Sequence, residues 1–320
     1  MNVRQVVPRD AIPSVDDPTY EPVADYPHDD GDELVVLDGD PPRAFPVRYL
    51  NYHEVVNATT SDGTPVAVTW CPLCGSAVVY ERVVADRVLS FGVSGKLADD
   101  DLVLYDRETE SEWKQSLGTA IAGPLEGADL TVLPAAMTTV ERFRADAPEG
   151  TILVRPGGES EAAGPGDEPE PIEYDEDPYR DYFEGSGFGL DAHRGTGGGR
   201  EWDREDLDPK AVVLGVERGD AALGFPLERL ASAGGVATAT VGGDEVAVFV
   251  TPDGVHAFAN PGLAFDPGAT EGTFRADGAV WDGATGESDD GRRLERLPAR
   301  RLFAFAWQDD HGPDAFWSAA

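Results

Sequence analysis

The sequence predicts a mainly β fold with minor helix, in which two tandem, divergent repeats of one barrel- or sandwich-like β-rich unit follow each other. Two observations predict this fold. Short apolar runs bounded by turn residues recur at the regular spacing typical of an all-β sheet or barrel. The same landmarks then return in the second half of the chain, as expected of an internal duplication. With 320 residues, the chain is long enough for two units of ordinary size.

Changes in composition divide the chain into four stretches. Residues 1–32, rich in Pro, Asp and Tyr, are predicted to form an extended N-terminal arm. Residues 33–154 contain the first β-rich repeat, and residues 210–320 contain the second, degenerate one. Between them, residues 155–209 are rich in Gly, Pro, Glu and Asp, which predicts an acidic linker. Its interleaved aromatic residues indicate that part of it docks on the folded units.

The elements of the first repeat follow from their local patterns. Glu33 to Leu37 is a short apolar run typical of a strand. Residues 45–57 carry proline in the first turn and apolar residues at three- and four-residue steps, which predicts a short helix. Asp62-Gly63 predicts a hairpin turn before a strand at residues 65–70. Further strand candidates are residues 77–82, 87–93, 102–105, 113–118, 120–124, 130–133 and 151–154, with a helix candidate at 138–145.

The second repeat retains apolar and turn residues of the first. At a constant offset of 180, Phe45-Pro46 becomes Phe225-Pro226, and Val66-Ala67-Val68 becomes Val246-Ala247-Val248. Further matches at smaller, decreasing offsets are Trp113 with Trp281, Gly118 with Gly286, Leu130 with Leu294 and Leu133 with Leu297. The counterparts of Cys71, Cys74, His53, Glu54 and Gln115 are Thr251, Gly254, Ala233, Gly234 and Gly283. This joint loss of reactive residues indicates that they act as a set, in the first repeat only.

The only two cysteines, Cys71 and Cys74, form a Cys-x-x-Cys turn at the end of an apolar run. Pro72 and Gly75 suit such a turn, because proline presets φ and glycine accepts a positive φ. Two thiolates at this spacing can hold one metal ion together or close into a disulfide. Rubredoxin-like and zinc-ribbon proteins use two such turns, and this chain has one. A metal ion here therefore needs further ligands from His, Asp, Glu or water.

His53 is the candidate third ligand, because imidazole and thiolate together suit Zn, Cu or Fe. The fourth position is either open or filled by a carboxylate such as Glu54 or Asp106. A histidine on a half-apolar helix is more often a core or surface residue than a metal ligand. His53 is therefore a candidate ligand only because the chain also contains the cysteine pair.

A second polar group lies within residues 105–115. One interpretation is a strand–turn–strand whose polar side chains satisfy their own backbone. The other places Tyr105, Asp106, Trp113 and Gln115 around the cysteine turn, as supporting residues or as a substrate or cofactor pocket. The residues themselves favour the first interpretation.

The charge balance points to a halophilic, acidic protein. There are 61 acidic and 25 basic residues, giving a net charge of −36, yet 41% of the chain is hydrophobic. Such a chain is typical of a globular protein from a high-salt cytoplasm, where a carboxylate-rich surface stays hydrated and its repulsion is screened. The absence of a basic patch excludes nucleic-acid binding. No secretory signal, membrane span or nucleotide-binding motif is evident, so a soluble, cytoplasmic protein is expected; export would require a start further upstream.

Several runs together resemble one family. They are IPSVDDP at residues 12–18, LNYHEVVN at 50–57, TWCPLCGSA at 69–77, GVSGKL at 92–97 and DLVLYDRETESEWKQ at 101–115. The chain resembles the uncharacterised family labelled domain of unknown function 3179, which occurs in bacteria and haloarchaea. The resemblance implies no established activity. It does imply that His53, the two cysteines and residues 105–115 belong to the family signature, which favours a functional role for all three.

Three hypotheses about function remain open. The first is a metal site formed by Cys71, Cys74 and His53, catalytic if one position is open and structural if it is closed. The second is a dithiol redox centre in which Cys71 attacks a disulfide and Cys74 resolves it, acting with a redox partner. The third is a non-enzymatic structural or interaction module whose cysteines are small buried hydrophobic residues.

Overall fold

The chain is mainly β, as the sequence predicts, with 40% strand and 14% helix. The structure is a computed structural model that describes residues 1–164, 169–196 and 200–319. The helices are α1 (Val47–His53), α2 (Val140–Asp146), α3 (Arg180–Glu184), α4 (Leu190–His193), α5 (Leu227–Ser232) and α6 (Ala304–His311). Within the described ranges, no helix has the length and hydropathy that crossing a membrane requires.

The first part of the chain contributes the larger number of strands. They are β1 (Val3–Gln5), β2 (Tyr20–Pro22), β3 (Glu33–Leu37), β4 (Arg43–Pro46), β5 (Val55–Thr59), β6 (Pro65–Cys71), β7 (Ser76–Glu81), β8 (Val83–Val84), β9 (Arg87–Val88), β10 (Phe91–Ala98), β11 (Asp101–Asp106), β12 (Glu112–Lys114), β13 (Thr119–Ala122), β14 (Ala136–Thr139) and β15 (Thr151–Leu153). The remaining strands are β16 (Glu159–Ser160), β17 (Glu170–Pro171), β18 (Val212–Arg218), β19 (Ala221–Pro226), β20 (Val236–Val241), β21 (Asp244–Thr251), β22 (Gly254–Ala259), β23 (Asp266–Pro267), β24 (Thr273–Ala276), β25 (Ala279–Asp282) and β26 (Arg300–Phe303).

Three larger sheets organise these strands. The first sheet has the order β1-β10-β11-β12-β13, and the second has the order β14-β3-β4-β15-β2. The third, which we call the shared sheet, has the order β19-β18-β26-β7-β6-β5. It is shared because β5 to β7 come from residues 33–154, whereas β18, β19 and β26 come from residues 210–320. The residue ranges 33–154 and 210–320, which we call the first and second β-rich units, are therefore joined through the antiparallel pair β7–β26.

The segments outside the two units also join the fold. In the N-terminal arm, β1 pairs with β10 and β2 pairs with β15, so the arm lies extended along two sheets. In the stretch predicted as a linker, Tyr174, Tyr179 and Tyr182 are buried, which confirms the expected docking by aromatic residues. Residues 155–209 thus contribute side chains to the core besides connecting the two units.

The helix predicted at residues 45–57 is shorter than expected. Its middle forms α1, but Glu54 adopts a left-handed conformation with φ 59°, and its N–H still donates to the carbonyl of Leu50. A left-handed residue ends an α-helix. The chain then continues directly as β5, so residues 55–57 of the predicted helix belong to a strand. The helix predicted at 138–145 is confirmed as α2.

The hairpin β6–β7 is buried on both faces and carries the cysteine turn. Side chains of one face, including Ala67 and Cys71, join one hydrophobic core, and those of the other face, including Val68 and Trp70, join a second. Continuous apolar sequence is what a strand covered on both sides requires. The turn closes with Gly75 at φ 53°.

We predict that Gly75→Ala destabilises the fold more than Gly63→Ala. Both glycines have positive φ, which costs an alanine roughly 1–2 kcal/mol. A Cβ on Gly75 would also lie 2.7 Å from the ring of Phe303, whereas one on Gly63 would meet nothing within 4 Å. Overpacking adds about 1–3 kcal/mol at Gly75. Denaturant unfolding at constant salt measures the difference, and equal losses for the two variants would contradict the proposed contact with Phe303.

Candidate metal centre

Two hairpins bring together a cluster of three possible metal ligands. Cys71 ends β6, Cys74 lies in the turn that follows, and Asp101 begins β11. One ligand atom from each residue lies within 4.8 Å of the other two, and all three residues are buried. Both thiols are free. Two sulfurs and a carboxylate oxygen at this separation can bind one metal ion.

The hairpin β10–β11 places Asp101 next to the cysteines. Its two-residue turn, Asp99 and Asp100, has positive φ at both positions, as in the type I′ turns that favour Asp, Asn and Gly. The carbonyl of Asp100 accepts a hydrogen bond from the thiol of Cys74 at 3.5 Å. The turn of one hairpin therefore packs directly against the turn of the other.

Burial disfavours negative charge at the three residues. It raises the pKa of Cys71 and raises that of Cys74 well above the ordinary thiol value, with the neighbouring thiol adding to the effect at Cys74. It raises the pKa of Asp101 to about 6, although the ammonium group of Lys114 opposes the shift. A bound cation would offset this cost, because metal ligands bind as thiolate and carboxylate.

A backbone hydrogen bond and a neighbouring buried ion pair support Asp101. Its Oδ2 accepts a hydrogen bond from the backbone N–H of Ser116 at 2.9 Å, and Lys114 lies close enough to influence its pKa. Lys114 forms a salt bridge with Asp310 of α6, and both side chains are almost fully buried. Burial opposes the charge of Lys114, but Asp101 and Asp310 outweigh it and raise the pKa of that lysine. The second β-rich unit thus supports the candidate site through Asp310.

Glu54 is a buried carboxyl group near this cluster. Its side chain is only 7% exposed, and its Oε2 has no hydrogen-bond partner among the described residues. Burial, together with the charges of Glu161 and Asp101, raises the pKa of Glu54 to about 8. A left-handed backbone costs a glutamate energy that a glycine would avoid. Strain, burial and an unpaired oxygen at one residue are typical of a functional position.

Gln115 contacts the cysteine hairpin. This position agrees with the interpretation that places residues of the 105–115 stretch around the cysteine turn. Its Nε2 donates to the hydroxyl of Thr69 at 2.8 Å and to the carbonyl of Ser76 at 3.3 Å. Ser76 pairs with Cys71 across the hairpin. Three buried atoms in this region, Ser76 Oγ, Gln115 Oε1 and Asp101 Oδ1, have no hydrogen-bond partner in the described part of the chain. Unpaired buried polar atoms are rare in proteins, which indicates a polar site here.

His53 lies outside the cluster. Its Nδ1 is 2.8 Å from the carbonyl oxygen of Pro13, and its Nε2 is 2.6 Å from the hydroxyl of Tyr174. Both ring nitrogens are thus engaged with other groups. Asp101 occupies the place in the cluster that the sequence assigns to His53.

The side chains of Tyr105, Asp106 and Trp113 make hydrogen bonds that stabilise the local structure. Asp106 accepts hydrogen bonds from Thr109 and from the indole N–H of Trp113, the latter at 2.9 Å. The hydroxyl of Tyr105 donates to Asp10 in the N-terminal arm at 2.6 Å. These contacts agree with the strand–turn–strand interpretation, in which the polar side chains stabilise the turn and its neighbours.

Sequence reasoning missed Asp101 and Lys114. One signal was present: Lys114 is one of only three lysines in the chain, and it directly follows Trp113. The alternation of β11 also places Asp101 on the same face as Val103, which pairs with Lys114. Neither observation reveals that this face meets the cysteine turn, because the two hairpins are not adjacent in sequence.

The fold and the site define a β-rich protein with a buried cluster of two thiols and a carboxylate. The family model described as "Protein of unknown function (DUF3179)" matches residues 9–315. The chain belongs to this family, which confirms the resemblance seen in the sequence. No curated protein and no solved structure is significantly similar to the chain.

We predict that Glu54→Gln changes how stability depends on pH. With a pKa of about 8 in the fold and 4.5 as its ordinary value, Glu54 keeps a proton that the unfolded chain releases. The contribution of Glu54 to stability is therefore unchanged below about pH 4.5 and falls as the pH rises towards 8, by up to about 1.4 kcal/mol per pH unit. Glutamine carries no charge, so the variant should lack this loss.

Denaturant unfolding of chelator-treated protein at pH 5, 6.5 and 8 measures the effect. Glu126→Gln is the matched control, because Glu126 is exposed. Parallel pH profiles for the wild type and Glu54→Gln would contradict the assignment of a protonated, buried Glu54.

Proposed function

We propose that this protein binds one transition-metal ion through Cys71, Cys74 and Asp101. The observation that carries the proposal is the buried cluster in which the three ligand atoms lie within 4.8 Å of one another. Two thiolates with one carboxylate suit Zn or Fe, and thiolates also suit Cu. The network of Lys114, Asp310 and Ser116 supplies the outer contacts that orient a metal-binding carboxylate.

The surroundings of the thiols favour metal binding over dithiol exchange. A redox-active cysteine is usually partly exposed and has a lowered pKa, because the thiolate is the attacking species. Cys71 and Cys74 are fully buried, and their pKa values are raised. A disulfide across so short a loop would also constrain the unfolded chain little. A metal ion, by contrast, stabilises both thiolates directly.

Glu54 is the candidate for proton transfer at this site. It is electrostatically coupled to Asp101, and its unpaired Oε2 is buried. A metal ion with an open position would supply Lewis acidity or an activated water. Glu54 would then hold or accept the proton at Oε2, whereas a site closed by a fourth ligand would be structural. Gln115 would act as a positioning residue, because it bonds to Thr69 and Ser76 of the cysteine hairpin.

We further propose that the two β-rich units are divergent repeats, of which only the first has the site. Equivalent hydrogen bonds support this: Leu130 N–H donates to Gly118, and Leu294 N–H donates to Gly286, both at 2.9 Å. Strand pairing also shows where the units differ. Cys71 pairs with Ser76, whereas Thr251 pairs with Gly254. The second turn is two residues shorter, so Cys74 has no counterpart there.

The residue of the second unit that corresponds to Glu54 is a glycine. Trp70 N–H donates to the carbonyl of Glu54 at 2.8 Å, and Val250 N–H donates to that of Gly235 at 2.7 Å. The contacts thus pair Glu54 with Gly235, one residue beyond the counterpart that the constant offset predicts. Gly235 also has positive φ. The second unit has glycine where the backbone favours it, and the first has a glutamate, which supports a role for that side chain.

We propose a high-salt cytoplasm as the working environment. The net charge of −36 and the scarcity of lysine support a halophilic, haloarchaeal origin. Free cysteines agree with a reducing compartment, where thiols are kept reduced.

We predict that wild-type protein, purified at high salt without chelators or a His-tag, contains about one equivalent of Zn, Cu or Fe per chain. Cys71→Ser and Cys74→Ser should lose nearly all of it. Asp101→Asn should bind at least 10- to 100-fold more weakly, the loss that outer contacts alone cause in such sites. Elemental mass spectrometry measures the content, and Co²⁺ substitution with its thiolate absorption bands reports the ligands.

His53→Gln is the matched control, because both ring nitrogens of His53 bond elsewhere, and it should retain the metal. Full metal content in either cysteine variant, or its loss in His53→Gln alone, would refute the ligand set. Metal-free wild type with a reversible Cys71–Cys74 disulfide would favour the redox alternative. Metal-free wild type with inert thiols would favour a structural or interaction module.

A further inference from the structure

We propose that the cleft lined by residues 161–164, 176–179, 193, 194 and 196 is the route by which a divalent transition-metal cation reaches the buried cluster. This inference rests on the proposed metal-binding function and adds the path and the residues that build it. It assigns a role to the stretch predicted as a linker, which forms most of the walls of the cleft.

Two neighbouring cavities share four lining residues, and the smaller of them, which we call the inner cavity, is also lined by Glu54. The outer cleft has a volume of about 600 Å³, and its polar lining includes Tyr52, Glu176 and Asp177. The inner cavity has a volume of about 70 Å³, and its lining includes Glu54 and Leu73, the residue between Pro72 and Cys74. The residues that line both cavities are Glu161, Tyr179, His193 and Arg194. These four side chains form the neck between the cavities.

The neck is built from ordered contacts. Tyr179 is buried, and its ring stacks on the imidazole of His193 with 4.8 Å between the centroids. Glu161 and Arg194 form an ion pair at 3.5 Å. Beside them, the hydroxyl of Tyr182 donates to the carbonyl of Leu73 at 2.6 Å, which fastens this segment to the cysteine turn. The segment that lines the cleft is therefore hydrogen-bonded to the cysteine turn.

The size of the inner cavity limits what can pass. Pockets for organic ligands usually measure about 300–1,000 Å³. A cavity of about 70 Å³ holds a metal ion with a few waters, since water occupies about 30 Å³ in the liquid. An organic substrate would fit the outer cleft but not the inner cavity.

The charge of the outer cleft favours a cation. Glu161, Glu176 and Asp177 line the outer cleft, against Arg194 as a cationic residue. The inner cavity is lined by Lys96 as well as by the buried Glu54, whose Oε2 has no hydrogen-bond partner within the described ranges. Burial lowers the pKa of His193, so it adds no positive charge at neutral pH. With three carboxylates against one guanidinium, the outer cleft carries an excess of negative charge, which concentrates cations and speeds their entry.

The test compares rates of metal loading in full-length, chelator-treated protein. The double variant Glu161→Gln and Glu176→Gln removes two carboxylates from the outer cleft and leaves the proposed ligands intact. The control, Asp266→Asn and Glu271→Gln, removes two exposed carboxylates of the second unit that line neither cavity. Loading of Co²⁺ is followed by stopped-flow absorbance, at the lowest salt at which the wild type keeps its native circular dichroism.

We expect the cleft variant to load about 3- to 10-fold more slowly, with unchanged final occupancy, and the control to load at the wild-type rate. The difference should shrink as salt is added. Equal rates in the cleft variant and the wild type, or equal slowing in both double variants, would overturn the proposed route while the metal site stands. A wild type that binds no Co²⁺, Zn²⁺, Cu²⁺ or Fe²⁺ at all would overturn the proposed function and the route together.

Discussion

The antiparallel pair β7–β26 is the interaction on which the rest of the structure depends. It joins strands from the two β-rich units into one sheet, and it brings β26 against the cysteine turn. The N–H of Phe303 donates to the carbonyl of Cys74 at 2.7 Å, and the guanidinium of Arg301 donates to that of Gly75 at 2.7 Å. The second unit thus supplies hydrogen-bond donors to two carbonyl groups of the buried cysteine turn. Buried carbonyl groups without a partner would lower the stability of the fold.

A second connection between the units is electrostatic. Lys114 lies between Asp101 of the candidate site and Asp310 of the C-terminal helix α6. A buried ion pair is costly to break, by about 3–5 kcal/mol, because the remaining charge has no solvent. The network therefore ties the docking of α6 to the ionisation and orientation of Asp101. It also explains why a lysine-poor chain places one of its three lysines in the interior.

The candidate site concentrates features that a fold would otherwise avoid. Two thiols and a carboxyl group have raised pKa values, Glu54 has a left-handed backbone, and Ser76 and Gln115 carry polar atoms without partners among the described residues. Each feature costs stability on its own. A single cation would stabilise the thiolates and the carboxylate at once. The structure is consistent with one functional centre surrounded by a conventional β scaffold.

The sequence by itself determined the β class, α2, the cysteine turn and the family. These depend on local pattern, such as the spacing of apolar residues and the Cys-x-x-Cys turn, which is set by residues that are neighbours in the chain. The contacts of Gln115 with that hairpin also agree with the functional interpretation of residues 105–115, which places it around the cysteine turn. Only the tertiary structure decided that Asp101, rather than His53, meets the cysteines. The ligand cluster requires two hairpins separated in sequence, and its support comes from α6, almost 200 residues after Lys114. No local pattern encodes such pairings, since they arise from which strands share a sheet.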